Sequence, residues 1–433
     1  MLVRAGLVLL VIATVAASWQ AGRWFMGSEF AYILPQVRDN ALETAQAAVQ
    51  LSPADPYAHA GLAKLAQRSL TPEELQAAVA EYEKAVSLSP SDFRQWVELG
   101  RALEQSGDFG RSEKALRRSV ELAPWYSWPR WHLGNFLMRR GRYDEAFAEL
   151  KRVAETDETK RGAVFDLAWY VYGGDTASIR NLLGNSPQMR GELVSYLLGR
   201  KRMEDALQLW AGMSVEEKKA SGEVAKLLFD QLVAAKRYRE ALRLLTEVPQ
   251  GSGVVAPEVG KVTNGSFEKT VTQAGTSFFD WRVPSNAAAS VALDPDNARE
   301  GGLSLRVAFN ASGTVDFNIT QAVAVEPSSS YRLQFYVRTN NLKSGALPVV
   351  QVLNLDGKVI AESAPAPGGA KTDWQQVSLD FKTPNDTDGI TLKITRAACT
   401  LEGGVCPIFG NIWYDDFNLQ LTGRNAGSAG RGN

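Results

Sequence analysis

The sequence predicts a multidomain α plus β protein with an N-terminal membrane helix, an α-solenoid of paired helices and a C-terminal antiparallel β-sandwich. Three observations carry this. Between Arg4 and Arg23 the chain holds about 18 uncharged positions. From residue 91 onward, aromatic, glycine and small residues recur at a period near that of a two-helix unit. Beyond residue 262 the apolar spacing switches from a helical period to alternation. With 433 residues and 45% hydrophobic content, the chain can fill more than one core. Its 47 Lys+Arg against 48 Asp+Glu leave a formal net charge of -1, so no global field draws it to nucleic acid. The 2 histidines, His59 and His132, and the 2 cysteines, Cys399 and Cys406, rule out His-rich metal clusters, zinc fingers and CxxC redox pairs.

The first element, residues 1–25, is a signal anchor or a signal peptide. Small residues at Ala16, Ala17 and Ser18 suit cleavage; Trp19, Trp24 and Phe25 with Arg23 suit an interfacial belt and favour a retained anchor. Under either reading, Arg4 on the short leading side leaves the rest of the chain facing the periplasm or cell exterior. The protein is then held to the membrane by one helix, or secreted if the segment is removed.

Residues 30–249 read as the helical array. From 91 to 124 the sequence is SDFRQWVELGRALEQSGDFGRSEKALRRSVELAP, and the next stretch repeats its spacing through Trp131, Leu133, Gly134, Gly141, Tyr143, Ala146 and Leu150 at an offset of about 34 residues. In each copy a first amphipathic helix ends in a Gly-bearing turn, at Gly107 or Gly141, and a second begins at Phe109 or Tyr143. Gly100 and Gly134, with Ser112 and Ala146, supply the small residues needed where two helices cross. Trp96, Leu99, Gly100, Leu103, Ser112, Leu116 and Pro124 resemble the tetratricopeptide repeat pattern. The endings at 85–90 and 48–53 extend it upstream, and weaker copies at 197–210 and 227–245 extend it downstream, making about six helical pairs. This resemblance implies a stacked superhelix whose inner groove docks a protein partner.

Within the array, Trp128, Trp131, Asn135 and Arg139 follow at three- or four-residue spacing and share a helical face. Two readings stay open: the rings fill the interface between neighbouring pairs, or the face lines the groove and holds a peptide or sugar chain. His132 reads as a packed or solvated helix residue beside that stripe.

Gly, Pro and Ser at 250–261 mark a linker, 262–422 form the sandwich, and 423–433 are a flexible tail. Short alternating segments at 303–309, 315–325, 331–339, 349–355, 376–381, 390–396 and 412–421 read as strands, some eight in all, of a two-sheet sandwich. Asn264-Gly265-Ser266-Phe267-Glu268 opens the domain, Phe279-Asp280-Trp281 follows, and Ile412-Trp413-Tyr414-Asp415-Asp416-Phe417 closes it. This ordered set resembles the jelly-roll carbohydrate-binding modules of families 4, 9 and 22. The resemblance implies glycan binding, with Phe278, Phe317 and Asn318 as candidates for a sugar-facing surface, whereas Phe279, Trp281, Trp374 and Trp413 read as structural. It also implies a structural calcium held by Glu268, Asp415 and Asp416. Alternation supports that set: with Phe417 and Leu419 facing the core, Asp415 turns inward and needs a cation or several donors. The competing reading is an aspartate capping backbone N–H groups. Cys399 and Cys406 close a short loop and are expected to form a disulfide outside the cytoplasm.

No acid/base pair, nucleophile elbow, phosphate-cradling loop or HExxH helix is present, so no enzyme activity is expected. The expected function is a non-catalytic, membrane-tethered extracytoplasmic adaptor. Its repeats dock a protein and its sandwich binds a polysaccharide or other glycan, within bacterial envelope-polysaccharide assembly or export. The alternative is a purely structural scaffold whose sandwich binds no sugar.

Overall fold

The computed structural model describes residues 2–34, 40–69, 71–184, 186–247, 257–271, 278–283, 289–311, 317–399 and 406–424. Most of the expected linker, at 250–256, and the tail from residue 425 lie outside the described residues. The chain divides into two compact units, Met1–Tyr196 and Leu197–Asn433.

The first unit is helical. Its elements are α1 (Leu2–Ile33), α2 (Ala41–Leu51), α3 (Pro56–Ala66), α4 (Pro72–Leu88), α5 (Phe93–Gln105), α6 (Phe109–Leu122), α7 (Ser127–Arg139), α8 (Tyr143–Thr156), α9 (Glu158–Val171) and α10 (Thr176–Leu183), with α11 (Pro187–Gly199) beginning in it. Asp55, Asp92, Asp108, Asp157 and Asp175 each cap a helix by accepting a backbone N–H of its first turn, which explains why the starts are so regular. Helices cross where side chains vanish. A Cβ on Gly100 would sit 2.6 Å from Leu116 Cγ, and one on Gly134 would sit 2.7 Å from Leu150 Cγ. Ser112 Oγ donates to the Gly100 carbonyl at 2.8 Å, so this crossing is hydrogen-bonded as well as close.

Residues 6–33 of α1 are long and apolar enough to cross a membrane, and the stretch 6–22 is exposed throughout. The helix continues without a break past residue 25 to seat its last turns on α2 and α3. Arg23 donates to the Gln50 carbonyl at 3.0 Å, Ser52 Oγ to the Trp24 carbonyl at 2.7 Å, and Ser28 Oγ to Asp55 at 2.7 Å. A Cβ on Gly27 would lie 2.5 Å from Ser52 Oγ, so glycine sets the closeness of this contact.

The second unit begins with the helices α12 (Met203–Ala211), α13 (Val215–Ala220), α14 (Gly222–Ala234) and α15 (Tyr238–Glu247). The strands are β1 (Ala289–Asp294), β2 (Ser304–Ala311), β3 (Ile319–Ala324), β4 (Ser329–Ser344), β5 (Pro348–Leu353), β6 (Val359–Glu362), β7 (Gln375–Lys382), β8 (Gly389–Arg396) and β9 (Ile408–Arg424). They form a five-stranded sheet, β1-β2-β9-β4-β7, and a four-stranded sheet, β3-β8-β5-β6, antiparallel throughout. Inward residues of both sheets, among them Val307, Leu333, Phe335, Val352, Leu392, Ile394, Ile412 and Tyr414, make one core with Phe267 and Trp281. The predicted α plus β architecture is therefore the observed one. Strand β1 and the short edge strand β6 are additions to the seven segments read from the sequence.

The helical pair α14–α15 packs on the sandwich within this unit. Tyr238 meets Phe278 at 5.1 Å and Phe279 at 5.9 Å edge-to-face, and Phe229 meets Phe278 at 6.1 Å. The Arg239 N–H donates to Asp388 Oδ2 at 3.0 Å, and Lys236 pairs with Asp356. Burial raises the Asp388 carboxyl above the usual carboxylate range, while Arg239 opposes that rise. Cys399 and Cys406 are joined, with Cα atoms 5.9 Å apart.

Candidate binding surfaces

The first surface is a groove of about 660 Å³ between α5, α6 and α7. Trp131, Asn135 and Arg139 of the predicted stripe line it, joined by Arg101, Glu104 and Gln105 of α5, Phe109 and Leu116 of α6, and Arg140. Trp128 does not. Its ring packs edge-to-face on Phe93 at 6.2 Å and on His132 at 5.2 Å, so this member of the stripe serves packing. Packing thus accounts for Trp128, while Trp131, Asn135 and Arg139 line the groove on the same helix.

The groove's polar groups are partly committed. Arg139 grips Glu104 with two bonds of 2.7 and 2.8 Å, and Asn135 Nδ2 donates to the Trp131 carbonyl at 2.8 Å. Arg140 lies over the Phe109 ring at 4.0 Å, and Arg101 pairs with Glu98 at 2.9 Å. His132 lines the groove too, which the sequence reading did not assign to it. Burial first, then the positive Arg101 and Arg139, push its imidazole down to about 4, so near neutral pH it is an uncharged ring with hydrogen-bonding nitrogens.

The second surface is a pocket of about 360 Å³ on the outer face of the four-stranded sheet, closed on one side by Tyr238 of α15. Asn318, Thr320, Leu353, Asn354, Leu355, Gly357, Thr391 and Lys393 complete its lining. Alternation decides who belongs here. Ile319, Gln321 and Val323 face inward, so Phe317 faces inward with them, while Asn318 and Thr320 face out. Phe317 is 1% exposed and packs on Phe309 at 5.0 Å, which removes it from the sugar-facing candidates. Phe278 is likewise engaged, packed on Phe229 and Tyr238 with Arg282 over its ring at 5.1 Å. Of the three predicted sugar contacts only Asn318 reaches the pocket. Phe279, Trp281 and Trp413 are buried as expected, at 1%, 0% and 5% exposure, whereas Trp374 is only partly covered.

The acidic set lies apart from both surfaces, and its geometry corrects the alternation argument. Asp416 has φ 53, and the β4–β9 register shifts between Gln334 and Tyr336, so the two-residue period breaks at this point. Tyr414 and Phe417 both face the core; Asp415 pairs with Tyr336, sharing its outer face. Asp415 is nevertheless 0% exposed, covered by the segment around Arg299. Its Oδ2 accepts the Arg299 N–H at 2.9 Å and its Oδ1 accepts the Asp416 N–H at 2.8 Å. Burial raises its carboxyl to about 6, with the two N–H groups opposing and the Asp416 and Glu268 charges adding.

Asp416 is paired with Arg299, whose guanidinium stacks on Tyr336 at 3.5 Å. Glu268 accepts the Gly302 N–H at 3.0 Å and the Leu303 N–H at 3.1 Å. Each carboxylate therefore has its own donors, and no group of three acidic, His or Cys side chains suited to a metal occurs among the described residues. These three side chains do not fit a calcium ion held jointly. What the two motifs do share is a backbone clasp. Phe417 N–H donates to the Gly265 carbonyl at 2.9 Å, and a Cβ on Gly265 would lie 2.1 Å from the Phe417 carbonyl oxygen, so only glycine lets the opening motif lie on the closing one.

Fold and surfaces define a chain of two binding-type parts, stacked helical pairs and an antiparallel sandwich. Residues 65–127 and 97–160 match the tetratricopeptide repeat model, and residues 259–398 match the carbohydrate binding domain model. Both are interaction modules rather than catalytic ones: the repeats suit protein binding and the sandwich suits carbohydrate binding. Among solved structures, "CBM4 structure and function" is 14% identical, covering 37% of this chain and 99% of that one, with TM-score 0.27. The tetratricopeptide protein YrrB, titled as having an unusual peptide-binding site, is 20% identical over 40% of this chain and 89% of its own, with TM-score 0.30. An arabinose-bound α-L-arabinofuranosidase is 18% identical over 40% of this chain but only 27% of its own, with TM-score 0.29. None of the curated proteins compared matches the chain.

Proposed function

We propose that this chain is a non-catalytic adaptor that holds a protein segment in its repeat groove and a glycan on its sandwich, tethered by α1 outside the cytoplasm. The observation that carries the reading is the pairing of two open surfaces with different chemistry. The groove offers Trp131, His132 and three arginines to a peptide. The sheet pocket offers two amides, two threonine hydroxyls and one lysine, with no carboxylate, to a hydroxyl-rich ligand. A role in bacterial envelope-polysaccharide assembly or export fits an adaptor joining protein to glycan at a membrane.

The reading is tested with the purified full-length protein on a glycan array and a peptide array in parallel. Specific glycan binding, with peptide binding that Trp131→Ala reduces, supports the adaptor. A blank glycan array beside retained peptide binding sinks the glycan half and leaves a protein-only scaffold. That second reading draws on one observation: none of the strands β3, β5, β6 and β8 contains an aromatic residue, so this sheet brings no stacking ring of its own. Protease access to the sandwich in intact cells tests the sidedness.

A further inference from the structure

The missing ring is supplied from outside the sandwich. Tyr238, the first residue of α15, walls the pocket over the outer face of β3 and β8. Its position is enforced from three sides: Phe278 and Phe279 brace the ring at 5.1 and 5.9 Å, the next residue's N–H is bonded to Asp388 at 3.0 Å, and Gly389 leaves the space the ring fills. An aromatic side chain held over a polar sheet is the arrangement that accepts a pyranose, with the ring against its C–H face and hydroxyls on the sheet.

The polar groups select further. Asn354 Oδ1 already accepts the N–H groups of Asp356 at 3.0 Å and Lys358 at 2.8 Å, which leaves its NH₂ for a ligand. Asn318 Oδ1 accepts the Thr395 hydroxyl at 2.9 Å, leaving its NH₂ likewise. Lys393 forms no ion pair among the described residues. The nearby Asp356 is paired with Lys236, so it does not neutralise that lysine. The pocket lining is donor-rich and includes one lysine and no carboxylate; the nearest acidic residue on this face by strand register, Glu362, lies across Gln351, whose Nε2 donates to it.

We infer that the glycan site of this chain is composite, built from Tyr238 of the last helical pair and the outer face of the four-stranded sheet, and that it takes an acidic sugar unit, a uronate, whose carboxylate pairs with Lys393. The inference rests on the glycan half of the proposed function and specifies its ligand. It makes sugar recognition depend on a residue outside the region matched to the carbohydrate binding domain, 259–398.

The experiment is calorimetric titration of the full-length protein with oligogalacturonate and oligoalginate, and with neutral cello- and xylo-oligosaccharides of matched length. Acidic oligosaccharides are expected to bind about tenfold more tightly than neutral ones, and less so at high salt. Lys393→Met is expected to remove about tenfold from acidic binding only, and Lys393→Arg to retain it within about threefold. Tyr238→Ala is expected to weaken every bound sugar by about tenfold, and Tyr238→Phe, which keeps the ring and its packing, to bind as wild type. Neutral sugars bound as tightly as acidic ones, with Lys393→Met silent, overturn the acidic ligand. Sugar binding untouched by Tyr238→Ala overturns the composite site. No binding of any saccharide by the wild-type chain overturns the glycan reading itself, and is told apart from the other two results by that blank.

Discussion

Replacing Gly389 by alanine tests whether α15 is held against the sheet as closely as described. Gly389 starts β8, and a Cβ there would lie 2.3 Å from Tyr238 Cδ2, 2.9 Å from Cγ and 3.1 Å from Cε2. Ordinary carbon contacts lie near 3.5–4.0 Å, so the ring has to retreat by more than about 1 Å. It has little freedom to do so, with Phe278 and Phe279 on one side and Arg239 anchored to Asp388 one residue along. Overpacking of this kind costs about 1–3 kcal/mol. For a unit of this size that is a fall in melting temperature of about 3–10 °C in the transition of the second unit. Calorimetry on Gly389→Ala, Tyr238→Ala and the double variant reads it. In the Tyr238→Ala background the added methyl has nothing to strike, so its penalty should vanish and the cycle should show a coupling close to the whole effect. A shift below about 1 °C in the single variant, or an equal penalty in both backgrounds, refutes the reasoning.

Three further outcomes are expected. Because His132 is held at about 4, below the ordinary histidine value of about 6.5, the unfolded chain binds its proton first; stability of the first unit is complete above about 6.5 and declines as pH falls toward 4, by on the order of 1–2 kcal/mol after allowing for the partly exposed ring. With 2 histidines in the chain, an imidazole NMR titration assigned by His132→Gln resolves it, and a midpoint near 6.5 contradicts it. Tyr414 buries its hydroxyl with no hydrogen-bond partner among the described residues, so Tyr414→Phe should stabilise the sandwich by about 1–2 kcal/mol in denaturant melts; a destabilised variant contradicts this. Calcium or chelator should leave the melting temperature unchanged, since Glu268, Asp415 and Asp416 are each supplied with protein donors; a calcium-induced rise of several degrees would show the donors being exchanged for the ion.

The repeat architecture was legible because its steric requirements fall on few residue types. Gly100 and Gly134 mark the crossings, and Gly107 and Gly141, with φ +86 and +73, mark the left-handed turns. The weaker copies downstream use the same turn without that mark. Lys201 and Lys236 hold φ 60 and 61, and the bonds from Arg202 N–H to Leu197 and from Arg237 N–H to Leu232, each 2.9 Å, repeat the one from Asp108 N–H to Leu103. A lysine in that conformation tolerates strain that no spacing rule reports.

In the sandwich, alternation located the strands but misplaced Asp415, and the family resemblance put Phe317 on a ligand-facing side that alternation denies it. Phe317 and Asn318 are adjacent, so they cannot both face a ligand, and the residue at φ 53 within β9 reverses the side on which Asp415 falls. Tyr238 was beyond reach for a different reason. It satisfies the repeat pattern as an ordinary start of a second helix, and nothing local to it announces the sheet, which is distant in sequence.

The unbroken course of α1 has a mechanical result. At 1.5 Å per residue its 32 residues form a lever about 48 Å long, and Arg23, Ser28 and Gly27 fasten the far end to α2 and α3 with no intervening swivel. The direction of the leading turns is therefore tied, through one continuous helix, to that of the first repeat helices they are fastened to.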